Sequence, residues 1–313
     1  MAQPARTSIK RSIGTILYRD FAKNKLIYLM ALPVMAYYII FHYGPMYGLV
    51  IAFKYFAPAK GILGSPWAGV YWFREFFNSY FIERLIKNTL LINVLNLLFS
   101  FPAPIILALL LNELRSERYK RSVQTITYLP HFISLVVICG MIHDFTSRDG
   151  IINDLVVFFG GERSTMLLNP GLFRPIYIVS EIWQGVGWGS IIYLAALSSI
   201  DPELYQAAVI DGANRWKKIW HITLPGIMPT IVILLILRVG SMMSIGHEKI
   251  ILLYNASIYD TADVISSFVY RKGLLESNYS YSTAVGLFNS AINFMLVILA
   301  NWLSRRATDR SLW

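Results

Sequence analysis

The chain has 313 residues, of which 56% are hydrophobic and 15% charged, and its mean hydropathy is +0.51. A soluble domain carries about 25% charged residues, so this composition excludes an ordinary soluble fold and a disordered chain. The formal net charge of +10 fits cytoplasmic anchoring of a membrane protein better than nucleic-acid binding, and the single cysteine, Cys139, excludes an intrachain disulfide.

In chain order, residues 1–25 form a basic tail, with Arg6, Lys10, Arg11, Arg19, Lys23 and Lys25 against Asp20. The apolar run at 26–53 is too long for a signal-peptide core, and no small-residue cleavage site follows it, so it reads as a retained first span. Five more runs, near 85–112, 122–144, 173–198, 226–246 and 283–304, meet the requirement of about 20 apolar residues for a bilayer crossing. Gly44, Pro45 and Gly48 should kink the outer end of the first, and Pro102 and Pro104 should bend the second. Cations are denser in the tail, at Arg115, Arg118, Lys120 and Arg121, at Arg215, Lys217 and Lys218, and at Arg305, Arg306 and Arg310. The positive-inside rule therefore puts both termini in the cytoplasm. The expected division is a tail at 1–25, a six-span transmembrane domain at 26–306 and a second tail at 307–313.

Several chemistries are absent from the sequence. It holds no G-x-x-x-x-G-K-[ST], no H-E-x-x-H and no G-x-S-x-G. His42, His131, His143, His221 and His247 are scattered, without metal-ligand spacing. No catalytic residue, metal site or cofactor is expected in this chain.

The cytoplasmic loop 199–225 is the most informative stretch. Asp201 suits an N-cap, Pro202 the first helical position and Glu203 the positive helix end. Leu204, Ala207 and Ala208 make a small apolar face, and Gly212 supplies a turn at positive φ. Trp216, Ile219 and Trp220 share one face of a second helix. Periodicity alone leaves two readings open: a loop packed beneath its own bundle, or a docking surface.

The order of residues resembles the EAA loop of ATP-binding-cassette importer permeases. That loop runs E-A-A, two residues, D-G-A, a helical stretch and L-P; here it reads Gln206-Ala207-Ala208, Asp211-Gly212-Ala213, Trp216 and Leu224-Pro225. Gln206 replaces the leading glutamate and gives up a charge-assisted hydrogen bond for a weaker neutral one. Tyr43-Gly44-Pro45-Met46-Tyr47-Gly48, Gly61 to Gly69, Asn112-Glu113, Tyr128 to Phe132 and Tyr281 to Gly286 resemble the oligosaccharide branch that takes acidic chains such as alginate and pectin fragments. The resemblance implies an all-α polytopic protein of the type I importer permease fold in a bacterial plasma (inner) membrane. It further implies half of a pore, paired with a second and different permease, with two ATPase subunits that hold ATP and Mg and an extracytoplasmic solute-binding protein. The residues carried over as the ATPase-coupling surface are Gln206, Ala207, Ala208, Asp211, Gly212, Ala213, Trp216, Leu224 and Pro225.

Candidates for the substrate pathway come from the spans. Tyr177, Glu181, Gln184 and Trp188 lie on one helical face, and a mid-span Arg238 should face protein or water. Asn289 and Asn293 line one side of the last span and Thr89, Asn93, Asn96 and Ser100 one side of the second; such residues also bind helix to helix without a ligand. Glu181 and Arg238 could be each other's partners, or Arg238 could attract a carboxylated sugar. The competing functional classes are an ion-coupled secondary transporter, which often carries inverted repeats, and an importer permease for a solute other than sugar.

Overall fold

The computed structural model describes residues 20–308 except 245, so Arg6, Lys10, Arg11 and Arg19 of the basic tail, and Arg310, lie outside the described residues. The described chain is helical, and the isolated bridge between Lys54 and Trp67 is its only β pairing.

Twelve helices carry the architecture. α1 (Lys25–Phe53) is followed by α2 (Tyr71–Phe77), α3 (Ile82–Asn112), α4 (Glu117–Phe132), α5 (Leu135–Thr146) and α6 (Ile151–Phe158). Then come α7 (Pro170–Ser198), α8 (Pro202–Ile210), α9 (Arg215–Gly240), α10 (His247–Leu253), α11 (Ile265–Tyr270) and α12 (Tyr279–Thr308).

The span count departs from the six expected. Among the described residues four helices are long and apolar enough to cross a membrane, namely α1, α3, α9 and Tyr279–Arg306 of α12. A fifth is reached only if the third expected span, at 122–144, is one broken crossing: α4 and the 135–158 stretch meet at 100°. The break has a local cause. Pro130 sits in a tight 3₁₀ turn, and Ser134 starts a new helix by accepting a hydrogen bond from Val137 N–H. The remaining expected span is α7, 29 residues long. At about 1.5 Å per residue it is long enough to cross, but Arg174, Glu181 and Gln184 make it less apolar. The fifth span also ends early, at Gly240 rather than 246, and α9 begins inside the 199–225 loop.

Gly44, Pro45 and Gly48 lie within one helix, Lys25–Phe53, whose winding changes around them. The helix widens to a π turn at Ile39–Tyr43 and tightens to 3₁₀ from Tyr47 to Phe53. No residue of its Lys25–Tyr38 stretch is buried. By contrast, α7 is the central helix, packed on α3, α4 and α9. Small residues allow the close approach: a Cβ on Gly187 would lie 2.1 Å from the Thr127 carbonyl of α4, and one on Gly189 2.9 Å from Pro104 of α3. The largest core cluster joins Ile92, Ile138, Cys139, Phe173, Tyr177 and Ile178 to Ile250, Leu253 and Val264. The 247–264 segment is therefore folded into the bundle.

Candidate functional site

The loop at 199–225 forms as its sequence dictates. Asp201 Oδ1 accepts from Glu203 N–H at 2.9 Å and caps α8. Gly212 turns the chain at φ +73°. Asn214 Oδ1 accepts from Lys217 N–H at 2.9 Å and caps α9. The second helix is not a separate short piece: it continues through a π turn at Ile219–Thr223 and past Pro225 into the span. The loop presents apolar groups to the outside, with Val209 59%, Trp216 71% and Trp220 64% exposed. Gln206, Ala207, Asp211 and Pro225 are also exposed, while Ala208, Ala213 and Leu224 are half-buried. The tryptophans do not pack beneath their own bundle.

At the middle of α7 the four residues of the polar-aromatic stripe come together. Tyr177, Glu181, Gln184 and Trp188 line a cleft of about 420 Å³ with His131, Glu248 and Lys249. A second lobe of about 400 Å³, walled by α3 and α9 and lined by Arg238, shares Glu181, Gly185 and Gly189 with the first. The half-exposed Trp188 ring stacks on His131 at 4.5 Å between centroids. Tyr177 is buried, with Lys249 Nζ 4.9 Å from its ring centroid.

Glu181 is not paired with Arg238. Its Oε2 accepts from Lys249 Nζ at 2.9 Å, and the Lys249 side chain is 5% exposed. Arg238 forms no ion pair among the described residues. An unpaired guanidinium on an apolar helix needs polar groups near it, and the cavity that Arg238 lines offers Glu181, Ser100, Tyr193 and Ser241 among mostly apolar walls.

Membership of a family is decided at this point. Residues 100–309 match the family described as binding-protein-dependent transport system inner membrane component. The chain belongs to that family. It is 46% identical over 292 residues to the polygalacturonan/rhamnogalacturonan transport system permease protein YteP of Bacillus subtilis, covering 93% of this chain and 91% of the relative. It is 43% identical over 292 residues to Protein LplB of the same organism, covering 93% and 92%. Among solved structures, it is similar to a chain of a bacterial ABC transporter involved in the import of the acidic polysaccharide alginate. There the TM-score is 0.87 and the identity 46%, with 93% of this chain and 99% of that chain covered. A second alginate transporter structure, in complex with alginate pentasaccharide-bound periplasmic protein, gives 0.87 and 45%, covering 95% and 99%. The type I importer permease fold follows from these matches.

Within this family member, the remaining candidates sort by their bonds. Asn293 accepts from Met243 N–H at 2.9 Å and donates to Ser244 Oγ at 2.6 Å, tying the end of α9 to α12. Asn289 keeps a buried Oδ1 with no partner among the described residues. In the second span, Thr89 Oγ1 accepts from Ile265 N–H at 3.1 Å, Asn93 donates to the Thr89 carbonyl at 2.7 Å, and Ser100 donates to Asn96 at 2.9 Å. Of these bonds only the one from Ile265 to Thr89 joins two helices; the other two lie within α3.

Two functional groups escaped sequence reading. Lys249 belongs to the segment expected as an outer loop, and its partner lies 68 positions away. His131 is joined to Trp188 only by the α4 fold-back onto α7. At the end of the bundle opposite the 199–225 loop, a third feature is the buried Asp263. Its carboxylate accepts from Arg271 at 2.7 Å, Arg84 at 3.3 Å and Ser267 at 2.8 Å. Burial draws the Arg271 pKa down, but its bonds to Asp263 and Tyr254 outweigh that and hold it above the ordinary value.

Proposed function

We propose that this chain is one half of the translocation pore of an ATP-driven oligosaccharide importer, with acidic sugar chains such as pectin or alginate fragments as its cargo. The observation that carries the cargo reading is the pair of lobes that share the Glu181, Gly185 and Gly189 face of α7, one lined by an aromatic ring, Trp188, and the other by an unpaired cation, Arg238. Sugar faces stack on aromatic rings, and a guanidinium matches a carboxylate in shape and charge. The polymers after which YteP and the alginate transporter are named are of this acidic kind.

In this reading the 199–225 loop docks on an ATPase. Trp216 and Trp220 are its anchors, since exposed tryptophans commonly become hot spots when an interface closes over them. Ala207, Ala208 and Ala213 permit close approach, with Gln206 as a neutral hydrogen-bonding substitute for the usual glutamate. ATP and Mg bind the two ATPase subunits, and this chain performs no chemistry. A second, different permease completes the pore. A solute-binding protein delivers the sugar from outside a bacterial inner membrane, and both termini are cytoplasmic.

Purification from the native membrane in mild detergent, with mass spectrometry of what accompanies the chain, tests the assembly. An ATPase and a second permease are the expected companions. A chain that repeatedly emerges without an ATPase, even after cross-linking at 201–225, would sink the coupling reading and favour an ion-driven transporter. The cargo is tested by Arg238→Ala, which should lower uptake of acidic oligosaccharides about tenfold and neutral ones little; equal loss would mark Arg238 as structural.

A further inference from the structure

Glu181 is the carboxylate shared by both lobes of the cleft, which is an awkward group to place on the path of a polyanion. Its partner does not come from the sugar side. Lys249 reaches it from α10, a short helix whose Ile250 and Leu253 are fully buried in the core. The ammonium is fixed by the carboxylate at 2.9 Å and by the Tyr177 ring, and its position between them is set by packing.

Besides the tyrosines Tyr177 and Tyr193, the titratable groups facing the two lobes are Glu181, Glu248, Lys249, Arg238 and His131. With His131 neutral the acids and bases balance. Loss of Lys249 leaves two carboxylates against Arg238, and loss of Glu181 leaves two cations against Glu248. Glu248 is exposed at the rim and screened by water, so the Glu181–Lys249 pair governs the interior field.

We propose that Lys249 is the residue that sets the charge selectivity of this cleft, by cancelling Glu181 so that Arg238 is the charge a passing sugar meets. The proposal rests on the cleft being the oligosaccharide path. It explains why a lysine from a distant segment is buried there. Burying the Lys249 ammonium carries a desolvation cost that makes such a pair a poor source of net stability, so its presence is accounted for by the field it produces.

The test uses the complete importer, with partner permease, ATPases and binding protein, in proteoliposomes. Uptake of trigalacturonate is compared with that of its methyl ester, which has the same sugars without charge. Relative to wild type, Lys249→Gln should lower the acid-to-ester uptake ratio about tenfold and Glu181→Gln should raise it, as expected for one unit charge in a poorly screened cavity. The double variant Lys249→Gln/Glu181→Gln should return the ratio to within about twofold of wild type. A structural role would instead depress both sugars together and leave the ratio unmoved, and would overturn the proposal. So would a double variant that stays as selective as Lys249→Gln alone. Glu181→Gln keeps an oxygen to accept from Lys249, so its ratio is decisive even if Lys249→Gln fails to assemble. A wild-type importer that takes up neither probe removes the oligosaccharide reading itself, and this inference with it.

Discussion

Two carboxylates show how differently this chain uses charge at its outer end and at its centre. Asp263 is fully buried and has two arginines and a serine around it. Asn88 adds donations to the carbonyls of Asp260 at 3.1 Å and Asp263 at 3.0 Å, and itself accepts from Arg174 at 2.8 Å. The Asp263 carboxylate at its centre is buried while its arginines reach the surface, and the cluster pins the 259–271 segment to α3 and α7. Glu181 has one cation, and its side chain is 36% exposed to a cleft. Its other flank faces a space large enough for a sugar ring. A carboxylate with all its acceptor capacity taken holds a structure together, whereas one with capacity left over shapes a field.

The sharpest way to break this comparison is Asp263→Ala. Removing one member of a buried ionic cluster strands the others, at a cost of about 3–5 kcal/mol. The expected outcome is a large loss of thermal stability and of folded yield in detergent, read by fluorescence-detected size exclusion; unchanged melting would show that the cluster is not structural. Next in size is Gly187→Ala, at the tightest contact between α4 and α7. Forcing a methyl group into closed packing costs about 1–3 kcal/mol, and the Tm should fall while the charge preference of uptake stays the same. Gly212→Ala comes third. A left-handed conformation costs a non-glycine residue roughly 1–2 kcal/mol; the loss should be confined to the turn, so ATPase stimulation falls more than Tm. Trp216→Ala has the smallest effect on stability, under about 0.5 kcal/mol for an exposed site. It should nevertheless weaken co-purification of the ATPase. If Trp216→Ala lowers Tm as much as Gly187→Ala, the tryptophan packs against its own bundle.

The same contrast explains what could be read from sequence. The 199–225 loop was legible because its determinants are local: Asp201 and Asn214 cap helices within three residues of themselves, and Gly212 meets the turn it predicts. The stripe Tyr177, Glu181, Gln184 and Trp188 was legible from helical period alone, and all four line one cleft. What faces that stripe was not. Lys249 counts in sequence as an outer-loop cation, because hydropathy windows report a residue's neighbours along the chain and not those across it. Arg238 seemed a natural partner for Glu181 since both lie in spans, but α10 folds inward and supplies a nearer ammonium. The break in the third expected span did carry a local signal, Pro130 followed by the cap Ser134, outweighed there by the apolar length around it. Asn293 shows the reverse error: a polar residue on a span that looks available to a ligand is spent on Met243 and Ser244.

The continuity of α9 has a mechanical consequence. Trp216 near its first turn and Arg238 near its last are joined by one hydrogen-bonded rod, which spans about 33 Å over the intervening residues at ~1.5 Å each. A rock of about 10° about its midpoint carries each tip roughly 3 Å in opposite directions, by the geometry of a rod of that length. On the proposed function, a push received by the indole at one end is thereby delivered, without gears, as displacement of the guanidinium at the other. The Asn293 bonds to Met243 and Ser244 sit just beyond the far tip and tie it to α12.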